Sequence, residues 1–165
     1  MKKIPLTQGQ FAIVDDKNFY HFNQWNWQAK WNKDTKSFYA VRNETYYVDG
    51  VRHRRFLTMS REIMKTPKGM LCDHKNHKTL DNQEHNLRNV TNSQNMMNRK
   101  GAQKNNRLGV LGVRQNGYGF QAHISVNRKI KCFPNRKTIE EATQDRKDAE
   151  KIYHGKFSRN QDEVS

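Results

Sequence analysis

Residues 70–100 read MLCDHKNHKTLDNQEHNLRNVTNSQNMMNRK, and the rest of the chain is organised around them. Met70, Leu71 and Cys72 enter as a short apolar strand. Residues 75–85 are too polar for regular structure and form a loop, and residues 87–90 make a returning strand. Thr91, Asn92, Ser93 and Gln94 have the Ser/Thr-x-x-Gln form of a capping box, so a helix begins there and Gly101 ends it. The expected local order is strand, loop, strand, helix.

That order carries candidate chemistry. Asp73 and Asn95 offer hard oxygen ligands suited to magnesium. His74 has the side chain whose unperturbed pKa lets it accept a proton near neutral pH. Such a set can hold a divalent cation and activate a water against a phosphodiester, so a metal-dependent DNA nuclease is expected. Adjacent residues on a regular strand point to opposite faces. Asp73 and His74 therefore serve one cleft only if the strand breaks, and Lys75-Asn76 is the expected place. Asn98 lies on the same helical face as Asn95, and spacing leaves both open as the helix ligand.

Composition sets the bounds. The 165 residues suit one ordinary domain or two small ones. With 33% hydrophobic residues and a mean hydropathy of −1.16, the cores are thin. Aromatic residues at 10% argue against wholesale disorder. The net charge of +15 points to a polyanion, because each neutralised phosphate releases counterions. Ribosomal-type RNA binding is the bland alternative. No apolar run approaches the roughly 20 residues of a spanning helix, and the first five residues lack the apolar core of a signal peptide. No membrane partner and a cytoplasmic location are expected. Cys72 and Cys132 are too far apart for a Cys-x-x-Cys pair. Cys72 with His74, His77 or His85 would be an odd zinc set without a second thiolate, so structural zinc is not expected.

Residues 1–69 read as β-rich. Phe11 to Val14 form a short strand, and Trp25, Trp27, Ala29 and Trp31 alternate with polar residues as a half-buried strand whose tryptophans belong to the core. A strand returns over 38–41, and a separate hairpin turns at Asp49-Gly50. A short helix is expected over 59–65 with Ser60 as N-cap. Residues 99–107 form a basic linker.

A second module starts at Gly109. Strands begin at Gly112 and Ile130, and Phe120, Ala122, Ile124 and Val126 alternate between them. Thr138 to Glu141 is a second capping box, followed by a helical apolar stripe to Gly155. Glu140, Glu141, Asp145, Asp148 and Glu150 make that helix acidic. Arg114, Arg128, Lys129, Lys131 and Arg136 make the strands and turns basic, so the sheet is expected to face nucleic acid while the helix braces it.

The words Asp73-His74, Leu80-Asp81-Asn82, Asn86-Leu87-Arg88 and Gln94-Asn95 resemble the HNH nuclease motif, in the phage homing-endonuclease variant whose last His is Asn. Residues 4–66 resemble the N-terminal part of the same proteins. The words Gly112-Val113-Arg114-Gln115, Phe120 to Ile124 and Thr138 to Ala142 resemble the plant APETALA/ethylene-response-factor DNA-binding domain. The first resemblance implies a ββα-metal nuclease with Asp73 and Asn95 on Mg²⁺ (or Mn²⁺), His74 as general base and Asn86 bracing the loop. The second implies that Arg114, Tyr118, His123 and Ser125 face double-stranded DNA, with Arg128, Lys129 and Lys131 beside them. Ser60 stands where such relatives usually have His, and Gln83-Glu84 where many have Arg.

The expected fold is therefore α+β: a nuclease domain over 1–100 with its ββα motif at 70–100, a basic linker over 101–108, a three-stranded antiparallel sheet plus one helix over 109–158, and a frayed tail over 159–165. A monomeric site-preferring endonuclease is the leading reading. A DNA-binding regulator that does not cleave is the alternative.

Overall fold

Ile4, Ala12 and Val14 alternate with more exposed neighbours and are almost completely buried. They sit on two antiparallel strands, β1 (Lys2–Pro5) and β2 (Phe11–Val14). Helix α1 (Asp16–Asn23) follows directly and sends Phe22 into the same core. Its eight residues escape sequence reading because no side chain caps its N-terminus and its apolar face is short. In this computed structural model the described residues are 1–98, 101–102, 106–126 and 129–157. The expected tail over 159–165 and the site candidate Arg128 lie outside them, as do residues 103–105 of the expected linker. The chain is mixed α+β, with strands predominating in several small antiparallel sheets. It divides into two compact units, Met1–Asn92 and Ser93–Ser165.

In the first unit β3 (Gln28–Asn32), β4 (Ser37–Val48) and β5 (Val51–Thr58) form one antiparallel sheet. Two expectations change here. The tryptophan stripe is not one strand: β3 starts only at Gln28, and Trp27 is 3% exposed whereas Trp25 and Trp31 are 42% and 48% exposed. Trp27 packs in the core and gives its indole N–H to the Phe22 carbonyl. Trp25 instead lies under the Arg42 guanidinium, 4.3 Å from its ring centre. The second change is that residues 38–41 and 46–48 belong to a single 12-residue strand. Arg42 to Thr45 carry no apolar alternation to mark the middle in the sequence, and continuous pairing with the strand over 51–58 carries it through. The Asp49-Gly50 turn forms as expected, with φ of 49° and 76°, the positive values of a tight hairpin turn.

Helix α2 (Met59–Ile63) begins at the expected residue and ends two short of Lys65, with Thr58 rather than Ser60 at the N-cap position. Ser60 is buried in its first turn. Strands β6 (Leu71–His74) and β7 (Leu87–Val90) pair antiparallel, and α3 (Asn92–Met97) follows along the chain.

In the second unit β8 (Val113–Asn116), β9 (Gly119–Val126) and β10 (Lys129–Arg136) make a three-stranded antiparallel sheet. Val113, Ala122 and Ile124 are buried against α4 (Ile139–His154), which contributes Ala142 and Ala149. The capping box is complete: the Thr138 hydroxyl accepts from the Glu141 N–H, and the Glu141 carboxylate accepts from the Thr138 N–H. No helix among the described residues is long and apolar enough to cross a membrane.

Candidate active site

Strand β6 runs through both Asp73 and His74, which stand opposite Arg88 and Leu87 of β7. The chain turns immediately afterwards, where Lys75 N–H reaches the Asn86 carbonyl and His77 N–H reaches that of His74. Both side chains have thus taken strand positions before the turn, and their partners differ. Asp73 Oδ2 accepts a 2.8 Å bond from Arg88 Nε. His74 Nε2 lies 3.1 Å from Asn82 Oδ1.

The loop over 75–86 is held by its own polar side chains and by β2. Asn86 Oδ1 accepts from the Asn76 N–H at 3.0 Å while its amide nitrogen donates to the Asp81 carbonyl at 2.7 Å. This buried side chain therefore ties the two ends of the loop together. Ile13 bonds Leu80 and Asn82 on either side of Asp81, both at 2.8 Å. Asp15 accepts from the Glu84 N–H, and Lys17 pairs with Glu84 at 2.7 Å. The Glu84 carboxylate is thereby neutralised.

The surroundings of Asn82 fix the state of His74. Asn82 is 1% exposed, and its amide nitrogen faces the Leu80 carbonyl and the Met59 sulfur. Its oxygen therefore faces the imidazole, so Nε2 carries the hydrogen and Nδ1 carries the basic lone pair. Burial pushes the His74 pKa below its ordinary 6.5, against the opposing pull of the Asn82 bond and of Asp73. The ring is therefore neutral near pH 7.

Asp73 fits a hard cation by the chemistry of its donors. Carboxylate oxygens are the hard ligands magnesium takes, and the Arg88 guanidinium steadies this one at 2.8 Å. The two helix candidates, Asn95 and Asn98, lie on α3 and just beyond it, within the second unit. Asn98 is buried and Asn95 is half-buried. Among the described residues no three His, Cys, Asp or Glu side chains cluster.

The second unit sorts its cations by strand register. Arg114 pairs across the sheet with Gln121, and its guanidinium donates to the Gln121 side-chain oxygen at 2.8 Å. Gln121, His123 and Ser125 share one face of β9, opposite to the buried Ala122 and Ile124. Tyr118 is fully exposed at the β8–β9 turn. Lys129 and Lys131 stand opposite Val126 and Ile124, hence on the face that carries α4. Lys131 there reaches the Tyr153 hydroxyl and lies 4.5 Å from its ring centre. Arg136 is likewise taken by Asp145 of α4, at 2.7 Å. The outward face thus brings together Arg114, His123 and Ser125 but not Lys129 or Lys131. Burial, then the charges of Arg114 and Arg146, lower the His123 pKa.

A basic surface that sequence reading passes over is the β4–β5 ribbon. Its two faces differ. On one, Glu44 binds both Arg42 and Arg55, and Tyr46 stacks on His53. On the other, Asn43, Thr45 and Tyr47 stand opposite Phe56, Arg54 and Arg52. Neither Arg52 nor Arg54 has an ion pair among the described residues. The signal was a pair of arginines at alternate positions just after a hairpin turn.

Compared with protein-family models, with curated proteins and with solved structures, the chain matches none.

Proposed function

We propose that the chain is a metal-dependent endonuclease that hydrolyses phosphodiester bonds of double-stranded DNA at preferred sites. The observation that supports this reading best is His74, a buried imidazole whose tautomer Asn82 fixes, next in sequence to a carboxylate. The net charge of +15 supplies the attraction to a polyanion. His74 Nδ1 takes the proton of the attacking water, a step contributing roughly 10² to 10⁴-fold. Asn82 orients the ring, and Asn86 keeps the loop closed so that Asn82 stays in place. Asp73, steadied by Arg88, would be a ligand of Mg²⁺ or Mn²⁺. That ion would stabilise the charge developing on the phosphate and the leaving oxygen. Read this way, residues 70–97 act as a ββα-metal motif. The second unit then grips DNA with the sheet face of Arg114, His123 and Ser125, beside Tyr118.

Supercoiled plasmid incubated with the protein separates the readings. Nicked or linear DNA should appear with Mg²⁺ or Mn²⁺ and stop on adding EDTA. Undiminished cutting in EDTA would sink the metal assignment. Tight binding with intact plasmid under all conditions would instead make the chain a non-cleaving DNA-binding regulator.

A further inference from the structure

A cleft of about 470 Å³ opens in the first unit, lined in part by Lys30, Lys33, Tyr39, Phe56, Arg61 and Cys72. Strand register explains why these side chains meet. Lys30 stands opposite Tyr39, and the pairs Val41–Thr58 and Asn43–Phe56 continue the same face along β4 and β5. Lys30 Nζ lies 4.3 Å from the centre of the Phe56 ring. Arg61 reaches over from α2 with its guanidinium fixed by the carbonyls of Met70 and Thr66. Among the described residues no acidic side chain lines the cleft.

Three cations with no ion pair among the described residues select an anion, and aromatic rings beside them select a flat π-system. The volume suits a small ligand. A nucleotide has both features. The cleft also adjoins His74 in two ways. Cys72 is two residues before it and so shares its face of β6. The Tyr39 ring stands edge-on to the imidazole, with centroids 6.3 Å apart.

We propose that this cleft is a nucleotide subsite, holding one nucleotide unstacked from the DNA beside the phosphate presented to His74. It rests on the endonuclease reading above. The base lies against Tyr39 and Phe56, and its phosphate is met by Lys30, Lys33 and Arg61. A base inside a duplex is out of reach of such a cleft, so the nucleotide either turns out of the helix or comes from an unpaired strand.

The test uses the full-length chain in EDTA and duplexes in which 2-aminopurine replaces single bases around the cut position mapped from Mg²⁺ digests. The probe brightens when it leaves the base stack. One position next to the cut should brighten on binding. Phe56→Ala, which removes a half-exposed ring, should abolish that signal and weaken binding about tenfold, and Phe56→Tyr should restore both. A mismatch at the bright position tightens binding if the nucleotide comes from the duplex. Equal competition by the single strand marks the unpaired source instead. Normal binding and cutting with no bright position, or a signal that Phe56→Ala leaves unchanged, overturns the subsite alone. Absence of both binding and cutting overturns the endonuclease reading, and the subsite with it.

Discussion

His74 Nε2 is 3.1 Å from Asn82 Oδ1, and the Asn82 backbone N–H is itself bonded to the Ile13 carbonyl at 2.8 Å. The orientation of the imidazole is thus set by a strand far away in sequence. Asn82→Asp places a carboxylate at the same distance and should raise the His74 pKa by about one unit or more. The acid limb of kcat/KM should move to higher pH by that amount, with the plateau rate largely kept. An unmoved limb would mean that Asn82 does not govern the ring.

For the natural chain the sign runs the other way. Burial lowers the pKa of His74 below 6.5, so the neutral base persists into mildly acidic solution. The acid limb of cleavage should be centred below pH 6.5, and a limb above it would remove His74 from the role. Stability follows the same linkage. The unfolded chain takes up this proton as pH falls through 6.5, before the native state does. The His74 contribution is therefore complete above 6.5 and declines as pH falls through the folded pKa, which a pH series of denaturant midpoints would show.

His74→Ala should remove most cleavage, by roughly 10² to 10⁴-fold. DNA affinity should stay nearly unchanged, because one neutral ring is lost. Gel-shift titration beside plasmid nicking separates the two, and a parallel fall in both would make the residue structural.

Arg114→Glu and Lys131→Glu change the net charge equally, on opposite faces of the same sheet. Only Arg114 is on the side away from α4, so its reversal should weaken DNA binding more. It should also flatten the salt dependence by about one contact's share, near 0.9 in log–log slope. Equal losses would mean that total charge drives binding.

Gly112 has φ +70°, and a Cβ there would stand 2.0 Å from Arg146 Nε and 2.8 Å from the His123 carbonyl oxygen. Gly112→Ala should destabilise the second unit by about 2 kcal/mol or more. A thermal unfolding scan that shows no such loss would contradict the close approach of α4 to β8.

Local chemistry explains which elements were legible. The Asp49-Gly50 turn and the Thr138–Glu141 capping box carry their geometry in two or four residues, and both formed as read. The polar loop after His74 was readable as a loop because nothing in it could be buried without partners. Its bonds to Asp15 and Ile13 were not, since they join residues about 70 positions apart. The facing of β10 was obscured for another reason. Its outward positions are Ile130 and Cys132, while Lys129 and Lys131 run along the helix side with their charged ends at the edge. Charge signs alone could not order them.

The length of β4 has one more consequence. Strand β3 pairs only with residues 37–41 of β4, so beyond Val41 the β4–β5 ribbon has two edges without a strand partner among the described residues. Unpaired backbone edges beside exposed Tyr47, Val48 and Val51 are a template for adding a strand from another molecule. Arg52 and Arg54, which have no ion pair among the described residues, would keep such edges apart by mutual repulsion between copies. The same guanidinium groups thus guard against aggregation, and stripping them would cost colloidal solubility as well as any hold on phosphate.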